Sequence, residues 1–300
     1  MELSNIFSML GGLALFLYGM NMMSNGLELA AGNKMKSILE KLTSNRILGV
    51  LVGALVTAVI QSSSATTVMV VGFVNSGLMS LTSAVWVIMG ANIGTTITGQ
   101  LIAINITALA PLFAFIGVAM IVFFKSKKLD AIGTVIGGLG ILFIGMETMS
   151  KAMVPLRTMP EFVGLISKFQ NPLIGIIVGA LFTALIQSSS ASVGILQALA
   201  KSGVMTLSSS IYVLFGQNIG TCITSVLASI GTSKNAKRTT IIHLSFNIIG
   251  TVIFVTISLL FPFAHLIESI TPNNVAAQIA NVHTIFNITT TLLLLPIGTK

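Results

Sequence analysis

The chain contains itself twice. Gln61-Ser62-Ser63-Ser64-Ala65 recurs 126 residues on, as Gln187-Ser188-Ser189-Ser190-Ala191. The same offset carries Gly49 onto Gly175, Gly53 onto Gly179, Thr57 onto Thr183 and Ser76-Gly77 onto Ser202-Gly203. It also carries Asn92-Ile93-Gly94-Thr95 onto Asn218-Ile219-Gly220-Thr221, and about half of the positions from Gly49 to Thr98 are identical in the second copy. A period this long is not that of a solenoid. Two matching halves interrupted by small polar patches, in a very apolar chain, are the pattern of a secondary transporter.

Composition confines the chain to a membrane. Mean hydropathy is +1.00 and only 7% of residues are charged, against about 25% in a soluble domain. Apolar runs near the ~20 residues that cross a bilayer stand at 5–31, 81–104, 107–124, 131–153, 206–231, 239–262 and 276–296. The opening residues carry no basic stretch, so residues 6–23 read as a retained helix and not a cleaved signal. The net charge of +8 lies between spans without interleaved aromatics, which argues against nucleic acid. Cys222 is the single cysteine, and His243, His265 and His283 lack metal-ligand spacing, so no transition-metal site is expected.

Residues 47–78 and 173–204 do not read as plain spans. Each has an apolar arm of about 14 residues, the Gln-Ser-Ser-Ser turn, and a second arm of about a dozen. At ~1.5 Å per residue neither arm crosses a core of ~30 Å. Each is expected to be a re-entrant hairpin, its non-helical tip satisfied by protein or a wet cavity.

Counting hairpins as no net crossing gathers Lys34, Lys36, Lys41, Arg46, Lys125, Lys127, Lys128, Lys234, Lys237, Arg238 and Lys300 on one side. Lys151, Arg157, Lys168 and Lys201 fall on the other. The positive-inside rule makes the first side cytoplasmic, with the N-terminus outside and the C-terminus inside. Three full spans between the two hairpins invert the second copy, so the tips approach each other near the midplane. The expected fold is an all-α integral membrane protein: one transport domain over 1–300, with inverted repeats at 5–124 and 131–262 and an extra C-terminal span at 276–296. It has about seven full spans and two re-entrant helical hairpins.

The polar patches suggest what is bound. Each hairpin's second arm opens with backbone N–H groups that lack intrahelical partners, and serine or threonine hydroxyls cap such ends. Free N–H groups and the helix dipole also make an anion site. Ser63, Ser64 and Thr66, with Ser189, Ser190 and Ser192, offer hydroxyl donors to an oxyanion; Gln61 and Gln187 add an amide donor and a carbonyl acceptor. The Asn-Ile-Gly-Thr segments fall mid-span, where paired glycines suggest a local unwinding that frees carbonyls for a hard cation such as sodium. Close packing through small residues is the alternative. No charged residue lies in any of the four segments, so co-bound cations would neutralise the anion. Each would then favour the other's binding.

Glu147 reads either as a cation ligand inside the membrane or as a solvated interfacial carboxylate. His243 and His283, each followed four residues later by Asn247 and Asn287, read as packing residues with a proton relay as the alternative. An intramembrane serine hydrolase would need a base near the tips, and no His or Asp lies in either motif. The chain is not expected to be an enzyme.

At the twin Gln-Ser-Ser-Ser hairpins and the two Asn-Ile-Gly-Thr segments the chain resembles the type II sodium–phosphate cotransporter family in its bacterial form, from about Gly11 to Pro296. The resemblance implies sodium-driven inward symport of inorganic phosphate across the bacterial inner membrane. It implies phosphate binding at Gln61, Ser62, Ser63, Ser64, Thr66, Gln187, Ser188, Ser189, Ser190 and Ser192. Sodium, the co-transported ion, would be held by Gln61, Ser63, Asn92, Thr95, Thr96, Gln187, Ser189, Asn218, Thr221 and Thr224. No organic cofactor is implied. Many bacterial relatives continue into a cytoplasmic PhoU-like regulator, which an inside C-terminus would suit. The oligomeric state is open, a dimer among the alternatives. A carrier of another small oxyanion or dicarboxylate, and an anion channel, stand as alternatives to phosphate symport. One departure is visible: Thr96 becomes Cys222 in the second copy.

Overall fold

The computed structural model describes residues 2–31, 38–39, 45–104, 106–124 and 126–298. Among them the chain is helical, with no strand: α1 (Leu3–Ala31), α2 (Arg46–Ile60), α3 (Ser63–Asn75), α4 (Leu81–Ala103), α5 (Ala110–Phe123), α6 (Lys127–Met153), α7 (Pro160–Ser167), α8 (Pro172–Ile186), α9 (Ser189–Lys201), α10 (Leu207–Gly220), α11 (Ile223–Ala228), α12 (Lys234–Leu260), α13 (Phe263–Ile270) and α14 (Val275–Leu294). Of the basic residues used to orient the chain, Lys34, Lys36, Lys41, Lys125 and Lys300 lie outside the described residues.

Among the described residues five helical stretches are long and apolar enough to cross a membrane: Leu3–Ala31, Leu81–Ala103, Lys127–Thr158, Leu207–Ala228 and Lys234–Leu260. Two of the seven expected spans fall outside that set for different reasons. Thr107–Phe123 is short. The helix α14 is long enough, but its buried Gln278, His283, Asn287, Thr290 and Thr291 dilute its hydropathy. Large apolar side chains such as Phe115, Phe123, Leu181 and Leu185 are exposed. Together the long apolar helices and these exposed side chains mark a multi-pass membrane protein.

The repeat shapes local structure as well as sequence. Asn45 and Asn171 cap α2 and α8 with their side-chain oxygens, and Ser80 and Thr206 cap α4 and α10. Such caps satisfy N–H groups that lipid could not.

Glycines then set the helix pairing. An added Cβ at Gly90 would lie 2.0 Å from the Val50 carbonyl, and one at Gly94 2.4 Å from that of Ala54. The order 50–90, 54–94 makes α2 and α4 parallel. In the second copy Gly216 meets the Ile176 carbonyl and Gly220 that of Ala180, so α8 and α10 are parallel too. Parallel helices joined through a single arm require that arm to return the chain, so α2–α3 and α8–α9 are each hairpins. The segment Pro160–Gln170 meets Pro172–Ile186 at 104°.

A second glycine seam joins the halves. Gly12 of α1 faces the Gly145 carbonyl of α6, and Gly19 faces that of Gly138. The contact order falls along α6 as it rises along α1, so the two run antiparallel at backbone contact. Small residues permit that approach, which dispersion rewards in lipid. On the other flank, rings of Phe215, Phe254 and Phe286 pack at centroid distances of 5.1–5.8 Å, binding α10, α12 and α14.

Candidate binding site at the paired hairpin tips

Both tips adopt one backbone shape. Gln61 and Gln187 each end their first arm at φ 58°, ψ 22°, with the N–H donating to the carbonyl of Thr57 or Thr183 at 2.7 Å. A left-handed conformation is uncommon for a residue with a Cβ, yet both copies place glutamine there. The following serine is extended, and its hydroxyl oxygen caps the second arm: Ser62 accepts from Ala65 N–H at 3.1 Å and Ser188 from Ala191 N–H at 3.2 Å.

The three serines of each tip therefore divide the work. The first caps. The second, Ser63 or Ser189, is buried, and its hydroxyl bonds to no other protein group among the described residues. The third reaches across. Ser64 Oγ donates to the Gln187 carbonyl at 3.3 Å, and Ser190 Oγ lies 3.2 Å from Thr98 Oγ1. Thr98 in turn donates to Gln61 Oε1 at 2.7 Å. Thr98 thus bridges the first tip's glutamine to the second tip's serine.

Thr66 and Ser192 are placed differently from expectation. Their hydroxyls donate back to the carbonyls of Ser62 and Ser188 at 3.1 and 2.9 Å, and Thr66 also accepts from Thr57 at 3.0 Å. They stiffen the first turn of each second arm. The glutamines differ: Gln61 is buried and its amide nitrogen donates to the Ala58 carbonyl, whereas Gln187 is exposed.

The expected unwinding at Asn-Ile-Gly-Thr is corrected for both copies. The helix α4 runs unbroken from Leu81 to Ala103, and Gly90 and Gly94 are small because the backbone of α2 lies against them. The hydroxyls of Thr95 and Thr96 and the Asn92 amide donate to carbonyls of their own helix, those of Ala91, Ile93 and Ile88. In the second copy the helix is irregular at Thr221-Cys222 without unwinding, since both residues keep right-handed helical backbone angles. The helix α10 ends at Gly220, Thr221-Cys222 form a turn, and α11 restarts at Ile223. Thr221 Oγ1 is buried with no hydrogen-bond partner, and Thr224 donates to the Thr221 carbonyl at 3.1 Å.

The buried histidines both contact that span. His283 Nε2 lies 3.1 Å from Asn218 Oδ1, and His243 Nδ1 lies 3.2 Å from Ser225 Oγ. Asn218 Nδ2 donates to the Leu214 carbonyl at 3.2 Å. Glu147 sits between two cations, 2.7 Å from Lys201 Nζ and 3.3 Å from Lys151 Nζ, partly exposed. Among the described residues no cluster of His, Cys, Asp or Glu is arranged to hold a metal ion.

Thr98 escaped the sequence reading. It lies three residues past the last residue of its Asn-Ile-Gly-Thr segment, and its mate Thr224 carried the signal in the second copy. Gln197 and Gln217 were also missed. Both are buried, each donates to a backbone carbonyl, and each keeps a buried carbonyl oxygen without a partner.

Two matched helical hairpins joined at polar tips inside an all-helical bundle define a multi-pass transporter-type membrane protein. The chain belongs to the Na+/Pi-cotransporter family, whose model matches residues 15–151 and 158–283. It is 32% identical over 289 residues to the uncharacterized protein YqeW of Bacillus subtilis, covering 94% of this chain and 91% of that one. It is 27% identical over 294 residues to the putative inorganic phosphate export protein YjbB of Escherichia coli, covering 96% of this chain and 53% of that one. Over 98 residues it is 41% identical to the sodium-dependent phosphate transport protein 2A of Rattus norvegicus, covering 32% of this chain and 15% of that one. The chain therefore spans about half of the Escherichia coli relative and a small part of the rat one. No solved structure matches it. Family membership supports phosphate transport, with sodium as the family's co-transported ion.

Proposed function

We propose that this protein carries inorganic phosphate across the membrane by sodium symport, binding it where the two hairpin tips meet. The observation that carries the reading is the contact of Ser64 with Gln187 and of Thr98 with Gln61 and Ser190. It gathers two unengaged serine hydroxyls, two glutamines and two helix N-termini around one place. Ser63, Ser64, Ser189 and Ser190 would bind phosphate oxygens, with Ser62 and Ser188 holding the turns. The side chains of Asn92, Thr95, Thr96, Asn218, Thr221 and Thr224, with the tip residues Gln61, Ser63, Gln187 and Ser189, would supply oxygens to sodium. With no basic side chain in either tip, the sodium ions would neutralise the anion, and each would raise the other's affinity.

The antiparallel seam of α1 and α6 supports inverted repeats at 5–124 and 131–262. The two helices are repeat mates, and the Gly12–Gly145 contact maps onto Gly138–Gly19 under the 126-residue offset. Seven spans follow if α5 and α14 cross with the five longer stretches. The charge bias supports the N-terminus outside and the C-terminus in the cytoplasm.

Direction follows the summed gradients of sodium and phosphate, so an inward sodium gradient drives uptake. Export is the second reading, favoured by the printed function of YjbB. Radiolabelled phosphate flux in proteoliposomes tests both. Concentrative uptake under an inward sodium gradient, lost with potassium, supports symport. Efflux that ignores an opposing sodium gradient supports export, and sodium-independent equilibration supports a channel.

A further inference from the structure

At the end of α9 remote from its tip lies a cavity of about 290 Å³. Thr107, Lys201, Asn273, Asn274 and Ala276 line it, and among the described residues Lys201 is the single charged one in its wall. Lys201 Nζ donates to Thr107 Oγ1 at 2.9 Å and to Glu147 Oε2 at 2.7 Å. Lys151 completes the cluster, leaving two cations against one carboxylate. With about 30% of both side chains exposed, the pair is screened by water and contributes little, so an incoming anion can exchange for it.

The cavity and the second tip lie at opposite ends of α9. Ser190, Gln197 and Lys201 are spaced seven and four residues apart and so share one face of α9. Ser190 touches the Thr98 bridge. Gln197 is fully buried, donates to the carbonyls of Gly99 and Ala276, and keeps an unpartnered Oε1. Ala276 is itself part of the cavity wall. Gln197 thus stands between the cavity wall and the tip on one face of α9.

The other half keeps the joint without the charge. Under the repeat offset, Lys201 corresponds to Asn75, Thr107 to Ser233 and Glu147 to Asn21. There Asn75 Oδ1 accepts from Ser233 N–H at 2.8 Å, the same pair of positions in a neutral contact. Only the second half carries a cation at this point.

We propose that the cavity at the foot of α9 is a capture site for the transported oxyanion, with Lys201 exchanging its Glu147 partner for the anion's oxygens before the anion passes along α9 to the tips. This rests on the phosphate-transport reading above. A capture site outside the central one sets how readily substrate enters, through field strength and screening.

Two measurements test it. In proteoliposomes Lys201→Gln should raise the KM for phosphate about five-fold with little change in kcat, and its KM should lose dependence on added choline chloride. Lys201→Arg should stay within about two-fold of the parent. Glu147→Gln should lower KM by freeing the cation. Separately, Ala103→Cys places a thiol in the cavity wall, while the native Cys222 is buried. Phosphate, but not chloride at equal ionic strength, should slow its modification by a maleimide, and Lys201→Gln should remove that protection. An unchanged KM in Lys201→Gln, or no protection by phosphate, overturns the capture site even where transport is intact. Protection without sodium-driven flux would keep the capture site and sink the symport reading; absence of both would sink the two together.

Discussion

Ser64 Oγ donates to the backbone carbonyl of Gln187 across 3.3 Å, joining the two turns through residues 123 positions apart in the chain. The contact is unequal. Ser190, the repeat mate of Ser64, does not return the bond to Gln61 directly but reaches Gln61 through Thr98. Two near-identical motifs therefore meet in a way that makes their residues distinguishable by experiment.

The middle serines should separate binding from folding. Ser63→Ala and Ser189→Ala remove hydroxyls that bond to nothing else among the described residues, so thermal stability should hold. A hydrogen bond to a charged ligand contributes about 1.5–3 kcal/mol, so phosphate KM should rise roughly ten-fold or more in each. Uptake kinetics beside a melting curve in detergent check it. An equal loss of stability would mean that these hydroxyls serve the fold.

Thr98 and Thr224 are sequence mates with different tasks. Thr98→Val leaves Gln61 Oε1 buried without its donor, a cost of about 1–3 kcal/mol, and breaks the bridge to Ser190. Melting temperature and uptake should both fall. Thr224→Val loses one bond to the carbonyl of its own turn, at Thr221, and should change stability less. A larger effect at Thr224 would contradict the bridge.

Two glycines of one hairpin unit should respond in opposite ways. Gly90→Ala puts a Cβ 2.0 Å from the Val50 carbonyl, so α2 must move off α4 and folded yield should drop sharply. Gly72 has nothing within 4 Å, and Gly72→Ala should gain about 0.5–1 kcal/mol from the lower entropy of the unfolded chain. Size-exclusion profiles and melting curves of the two variants decide it.

Gln187 offers a test of strain. Its φ of 58° costs a residue with a Cβ about 1 kcal/mol or more. Gln187→Gly should therefore raise the melting temperature slightly while lowering phosphate transport. Unchanged transport would remove this side chain from the site.

Much was legible because lipid restricts the options. A chain this apolar must be helical, and an exact motif repeated at one offset marks two equivalent turns. Arms of 15 and 13 residues in the first hairpin are too short to cross. The twin motifs also placed the chain in its family. What misled was the glycine pair in Asn-Ile-Gly-Thr. Glycine permits unwinding and close packing alike, and sequence does not say which neighbour will arrive. In α4 the neighbour is the backbone of α2, and the helix stays whole. In the second copy the same glycines meet the backbone of α8, and the helix is only locally irregular at Thr221-Cys222.

The sequence by itself determined the helical membrane fold, the family and the identity of the two tips. These follow from composition and local pattern, which act through solvation and backbone hydrogen bonding. Only the tertiary structure decided which of the remaining serines, beyond the capping one, stands free and which crosses. It also brought in Thr98 as the bridge and set Lys201 between Glu147 and Thr107. The crossing contacts depend on residues separated by 37 to 123 positions meeting at atomic distance. Helix packing fixes that proximity, and no single segment encodes it.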